Sequence, residues 1–195
     1  SSTVTAATDA TLTAAQIAGT TVDALNVANL TATAIGGTTV VAGVNVNVDG
    51  TIAESSLTAQ TGKVTIKNAA LGITNVTASA GGDIDATEGI AWIAGGSFIA
   101  SGDVDLTTTY TILDAAVEGE TVTLTAAPGT LSATAIGNVD VSARDSAVLT
   151  VTGDISNSSI LAENAAKLTL TGDLNNNTVT AGEIGITGLA NVENG

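Results

Sequence analysis

Cysteine, histidine and methionine are absent from this chain of 195 residues. Disulfides, thiol nucleophiles and an imidazole base are thereby excluded, and the lack of cysteine is compatible with an oxidising exterior. Aromatic residues are almost missing, at 2%: Trp92, Phe98 and Tyr110 are the whole set. Positive charge is confined to Lys63, Lys67, Arg144 and Lys167 against 19 acids, a net charge of −15. Such a chain repels a phosphate backbone, so nucleic acid is not expected as a partner. An anionic membrane surface is disfavoured for the same reason. No apolar run reaches the length of about 18 residues that a membrane helix needs, so no membrane insertion is expected. Proline occurs once, as Pro128.

What remains is rich in small and branched side chains. Apolar residues make up 44% of the chain and threonine supplies 34 positions. Branching at Cβ suits a pleated strand and restricts rotamers in a helix. The 22 glycines imply many turns. With so few rings, the core must be built from Val, Ile, Leu and Ala.

An internal repeat decides the fold class. An apolar residue, any residue and alanine recur as Val4/Ala6, Val22/Ala24, Val40/Ala42, Leu57/Ala59, Val76/Ala78 and Phe98/Ala100. The pattern weakens to Val117/Gly119, then returns as Val141/Ala143, Ile160/Ala162 and Val179/Ala181. A second apolar position follows at Leu12, Leu30, Val48, Ile84, Leu106, Leu149 and Leu168, with Val64 and Ile66 flanking it. A third falls at Ile17, Ile35, Ile52, Leu71, Ile90, Ile112, Leu131, Ile155 and Leu174. Around these positions apolar and polar residues alternate, which is the period of a strand with one buried face.

Three short strands per repeat of about 19 residues predict an all-β fold. The expected architecture is a right-handed parallel β-helix, or β-solenoid, with three strands per coil and about ten coils. Handedness rests on the bias of parallel crossover connections. No composition shift divides the chain, so residues 1–195 read as one repeat domain. Two coils, 76–97 and 117–140, are long, and their extra residues are expected at corners. Both ends fall within the repeat, and the chain begins at Ser1 without methionine. These features predict a segment of a longer fibre, or a subunit whose partner is another copy stacked end to end.

The stretches SSLTAQTGKVTIKN (55–68), TNVTASAGGDIDAT (74–87) and SFIASGDVDLTT (97–108) carry a further signal. Their pattern resembles the shaft repeats of filamentous-haemagglutinin-like exoproteins, large bacterial adhesins exported by two-partner secretion. The resemblance implies an extracellular or cell-surface location and a shaft that displays adhesive segments. Receptors or glycans of a host or cell surface would then be partners.

Candidate sites are few. Gly82-Asp83-Ile84-Asp85 and Gly102-Asp103-Val104-Asp105 lie one repeat apart, and alternation sends all four carboxylates outward. Calcium is the one cofactor they suggest, since it favours clustered carboxylate oxygens; a solvated acidic face is the simpler reading. Trp92 lies in the apolar stretch EGIAWIAGG at a long corner and is either packed on the wall or a contact point for a partner. Asn157, Asn164 and Asn175 to Asn177 mark turns. Asn29, Asn75, Asn157 and Asn176 open N-x-S/T sequons. The pairs Thr11/Thr13, Thr123/Thr125, Thr150/Thr152 and Thr169/Thr171 do not share one position in consecutive coils, as an ice-binding face requires.

Catalysis finds little support. A lyase would need a basic residue beside calcium-binding aspartates, and only Arg144 with Asp140 and Asp145 could begin such a site. Arg144 reads better as a surface ion pair with Asp145 or another acid. A hydrolase needs paired carboxylates in a cleft, and outward residues on a flat wall form none. The reading is therefore a non-enzymatic structural or adhesive rod of a secreted adhesin or biofilm matrix protein. A self-assembling extracellular filament is its nearest alternative, and a carbohydrate-active enzyme a remote one.

Overall fold

The structure, a computed structural model, describes residues 1–126, 134–188 and 191–193. All regular structure among the described residues is strand: 23 segments, from Ser2–Ala6 to Val192–Glu193, hydrogen-bond in one continuous parallel sheet. Each segment pairs with its equivalent one coil away, so the sheet winds into a solenoid of three faces.

On the first face, one inward column runs Val4, Val22, Val40, Leu57, Ala78, Phe98, Val117, Val141, Ile160, Val179. Successive members lie 18, 18, 17, 21, 20, 19, 24, 19 and 19 residues apart, which makes nine turns. Alternation then requires the intervening residues to point outward. On the second face the inward pair is Ala28/Leu30, Val46/Val48, Val64/Ile66, Ile84/Ala86, Val104/Leu106, Val122/Leu124, Ala147/Leu149 and Ala166/Leu168. The third face is almost pure isoleucine: Ile17, Ile35, Ile52, Ile73, Ile93, Ile112, Ile136, Ile155 and then Leu174.

These columns form the single core, and nearly all their members are fully buried. Burying each Val, Leu or Ile contributes about 1.5–3 kcal/mol, opposed by about 1–2 kcal/mol per residue of backbone ordering. β-branching suits the task, because a side chain restricted at χ1 loses little when stacked between two identical neighbours.

The register corrects three sequence expectations. On the first face the fifth coil is Ala78/Ala80, not Val76/Ala78. Val76 is fully buried, but it lies at the preceding corner opposite Gly96. On the second face Ile84 stands over Val64, and Ala86 holds the place expected for it. On the third face Ile73 and Ile93 replace Leu71 and Ile90. Leu71 is 70% exposed, whereas Ile90 is buried beside the column. Each error has the same cause: extra residues at a corner displace the register of the strand that follows. Leu131 and Pro128 lie outside the described residues, and Ile136 fills the third-face column in that coil.

A left-handed residue turns the chain between the third and first faces of every coil. Gly19, Gly37, Glu54, Asn75, Gly95, Asp114, Asn138, Asn157 and Asn176 hold this position, with φ between 48° and 72°. Glycine, asparagine and aspartate tolerate this region, which explains eight of the nine. In four coils the next residue is a buried hydroxyl that folds back on the corner. Thr20, Thr38, Ser55 and Ser158 donate to the carbonyls of Ala18, Gly36, Ala53 and Ser156 at 2.7–3.2 Å. The amides of Thr38 and Val139 donate in turn to Ser55 Oγ and Ser158 Oγ. These corner hydroxyls are thus satisfied by a carbonyl of their own coil, and the two amides by a hydroxyl of the coil above, as burial demands.

Candidate functional site

The two acidic strands do stack one coil apart. Ile84 and Val104 point inward and are buried, and Asp85 stands in register with Asp105 on the surface. Asp83 and Asp103 have a different role from the other two. Each sits at the corner before its strand and accepts a backbone amide from the next coil. Asp103 N donates to Asp83 Oδ1 at 3.1 Å, and Thr121 N donates to Asp103 Oδ1 at 3.1 Å. The same device recurs where Val27 N donates to Asp9 Oδ1 and Lys63 N to Asn45 Oδ1. These side chains cap the corner and carry the ladder from coil to coil.

Asp83 also bonds Lys63 Nζ at 2.7 Å. That hydrogen bond, helped by the Asp103 amide, holds the Asp83 carboxyl below its ordinary pKa. Reciprocally, Asp83 raises Lys63. Asp85 accepts from Thr87 Oγ1 at 2.7 Å. Among the described residues no group of three or more acids is placed to hold a metal ion.

Trp92 is half-buried. Its indole lies on the Gly72 backbone: a Cβ built at Gly72 would come within 2.5 Å of Cδ2 and Cε2. Ile73 N donates to the Trp92 carbonyl at 2.8 Å, which ties this corner to the coil below. Tyr110, one coil further on, is 52% exposed. The exposed ring on this flank is therefore the tyrosine, which the sequence had not singled out.

Arg144 clamps three coils. Its Nη2 donates to the carbonyls of Ala100 and Ser101 at 3.0 and 2.7 Å, and its Nε bonds Glu120 at 3.2 Å. Glu118 lies 3.7 Å from Nη1. Its acidic partners are these two glutamates; Asp145 instead accepts from Ser146 and Asn164.

Threonine is more regular than its sequence spacing shows. Thr107, Thr125, Thr150, Thr169 and Thr187 stand in register through five consecutive coils. This corrects the expectation that such threonines do not share a position. The outward column before it holds Asp105, Thr123, Val148, Lys167 and Gly185, so the array does not widen on that side. On the first face Thr3, Thr21, Thr39, Ser56, Thr77 and Ser97 form a second hydroxyl ladder. It was hidden because its members belong to six separate repeats. Of the sequons, Asn75, Asn157 and Asn176 occupy left-handed corners. Asn29 lies in a strand, where Asn47 Nδ2 donates to its Oδ1 at 2.8 Å.

The fold defines the class of this protein as a parallel β-solenoid of nine turns. No protein-family model matches the chain, and neither a curated protein nor a solved structure matches it.

Proposed function

We propose that this chain is a non-enzymatic, extracellular structural and adhesive rod, a shaft segment of a secreted bacterial surface adhesin or biofilm matrix protein. The observation that carries the reading is the unbroken register of the inward columns from Val4 to Val179. Apolar side chains stacked coil on coil make a stiff rod, because each coil is held by its neighbours alone. The resemblance to filamentous-haemagglutinin-like shaft repeats supports the same reading, and so does a net charge that keeps a sheet-rich rod in solution.

Negative-stain electron microscopy of the purified chain tests it. Single rods about 4–5 nm long, nine strand spacings end to end, are expected. Long uniform fibres would replace the shaft with a self-assembling filament subunit. Compact particles with hydrolase or lyase activity on polysaccharide would overturn the reading.

A further inference from the structure

The coil from Leu57 to Ala78 is longer than the one before it, and the turn 68–72 lies within it. Asn68 and Gly72 both adopt positive φ, at 56° and 83°. Ala70 N donates to the Asn68 carbonyl and Gly72 N to the Ala69 carbonyl, each at 2.9 Å. The turn is held from below by Thr51, whose Oγ1 accepts from Leu71 N at 3.1 Å. From above it is backed by the Trp92 indole on Gly72. A fixed step therefore rises beside the preceding three coils.

An open groove of about 410 Å³ lies at the foot of that step, lined by Thr13, Thr31, Thr33, Asp49, Asn68 and Leu71. A second groove of about 410 Å³ shares Thr31 and Asp49 with it and adds Asn29, Asn47 and Lys67. Together they make one shallow channel across several coils. Hydroxyl and amide groups line it beside Ala14, Ala32 and Ala70, and Leu71 supplies an apolar wall at 70% exposure. The channel's ionic groups are Asp49, Lys67 and Glu88, one cation between two acids. Asp49 accepts from Asn68 Nδ2 at 2.8 Å and lies 3.9 Å from Lys67 Nζ. Lys67 in turn stands in register with Glu88.

We propose that this channel binds a neutral glycan chain. Threonine hydroxyls and carboxamides both donate and accept, as a polyhydroxylated ligand requires. An apolar wall beside convergent polar groups matches a sugar ring, which presents C–H on its faces and O–H at its rim. The charge of −15 repels sulfated and sialylated chains and leaves neutral ones unopposed. The inference rests on the adhesive reading and supplies the ligand class for it.

The test is a glycan array and titration calorimetry on the full chain, with neutral, sialylated and sulfated oligosaccharides and a lysine-rich peptide as probes. Two variants remove channel groups that are already solvent-exposed, Thr31→Val and Leu71→Ala; Thr150→Val, further along the same wall, is the control. Neutral oligosaccharides are expected to bind, about tenfold more weakly to each channel variant and unchanged to the control, with all melting temperatures alike. Retention of no neutral glycan, equal binding by the channel variants, or preference for the anionic chains or the cationic peptide would each overturn the proposal. Cell adhesion by rods that retain no glycan would sink the channel and leave the adhesive rod standing. Glycan binding without adhesion would do the reverse.

Discussion

Phe98 stacks in register on Ala78, the largest fully buried side chain upon one of the smallest. The same column carries Leu57 below Ala78 and Val117 above Phe98. The ring therefore extends into volume that the alanine leaves empty, and packing density stays even along the axis.

Phe98→Ala is expected to cost about 3–5 kcal/mol through lost burial and the cavity left behind. Ala78→Val alone should cost about 1–3 kcal/mol by overpacking. Ala78→Val with Phe98→Leu should cost less than the sum of the single changes, because the two share one space. Urea unfolding of the variants measures this; strict additivity would show that the residues do not compete for volume.

Glu54 is the one left-handed corner residue of its column that is neither glycine, asparagine nor aspartate. Its φ of 48° strains a side chain with no short polar group to compensate. Glu54→Gly should stabilise by about 0.5–1 kcal/mol, the left-handed penalty reduced by the extra freedom of glycine in the unfolded chain. Glu54→Ala should not. Thermal melts of both variants decide the matter.

Thr108 Oγ1 is buried and has no hydrogen-bond partner, while its register neighbour is Ala126. Thr108→Val removes the unsatisfied hydroxyl at constant shape and should raise stability by about 1 kcal/mol. A lower melting temperature for the valine variant would mean that the hydroxyl is satisfied in solution.

The Lys63–Asp83 pair sets a pH window with two edges. The Asp83 carboxyl is held below its ordinary pKa by the hydrogen bond to Lys63 and by the Asp103 amide. Its contribution is present above the unfolded pKa and is lost as pH falls through the lower folded value. Lys63 is raised by the hydrogen bond to Asp83, so its contribution is present below its unfolded pKa and is lost as pH climbs through the folded one. Both groups are well exposed, so at neutral pH the pair contributes no more than about 1 kcal/mol. Lys63→Ala should lower stability between the two edges and converge with the parent protein beyond them in low salt, and about 1 M salt should erase the difference. An equal loss at high salt would assign the effect to packing.

Arg144→Ala should destabilise by about 1–2 kcal/mol, because two carbonyls and two glutamates lose a shared donor. Arg144→Lys should recover only a small part, since one ammonium lacks the planar fork that reaches both carbonyls and Glu120 together. Denaturant midpoints test the pair of variants, and full recovery by lysine would reduce the clamp to simple charge.

Much of this fold is legible in the chain because each face repeats a simple rule. The isoleucines at 17, 35 and 52 announce a column by their spacing alone. The rule fails where a corner grows. After the turn 68–72 the register moves by two residues, so Leu71 and Val76 satisfy the pattern locally yet belong to corners. Alternation cannot show such a slip, since a shift of two restores the same parity. The surface is less legible than the core. Asp83 and Asp103 read in line with Asp85 and Asp105 as one acidic set, and only stacking shows that Oδ1 of each accepts an amide one coil away. The hydroxyl ladder from Thr107 to Thr187 escapes notice because the coils between its members differ in length. The groove beside Leu71 depends on a step that only three-dimensional stacking creates.

The direction of the coil-to-coil hydrogen bonds has a mechanical consequence. They run along the rod, in line with any pull on its two ends, so tension loads one ladder at a time and peels coils in succession. A coil of about 19 residues occupies one strand spacing when folded, about 4.8 Å, yet spans roughly 60 Å when drawn out. Each coil surrendered therefore lets the tether lengthen more than tenfold over that stretch. A rod built this way would yield to tension in small steps and rewind when the load falls.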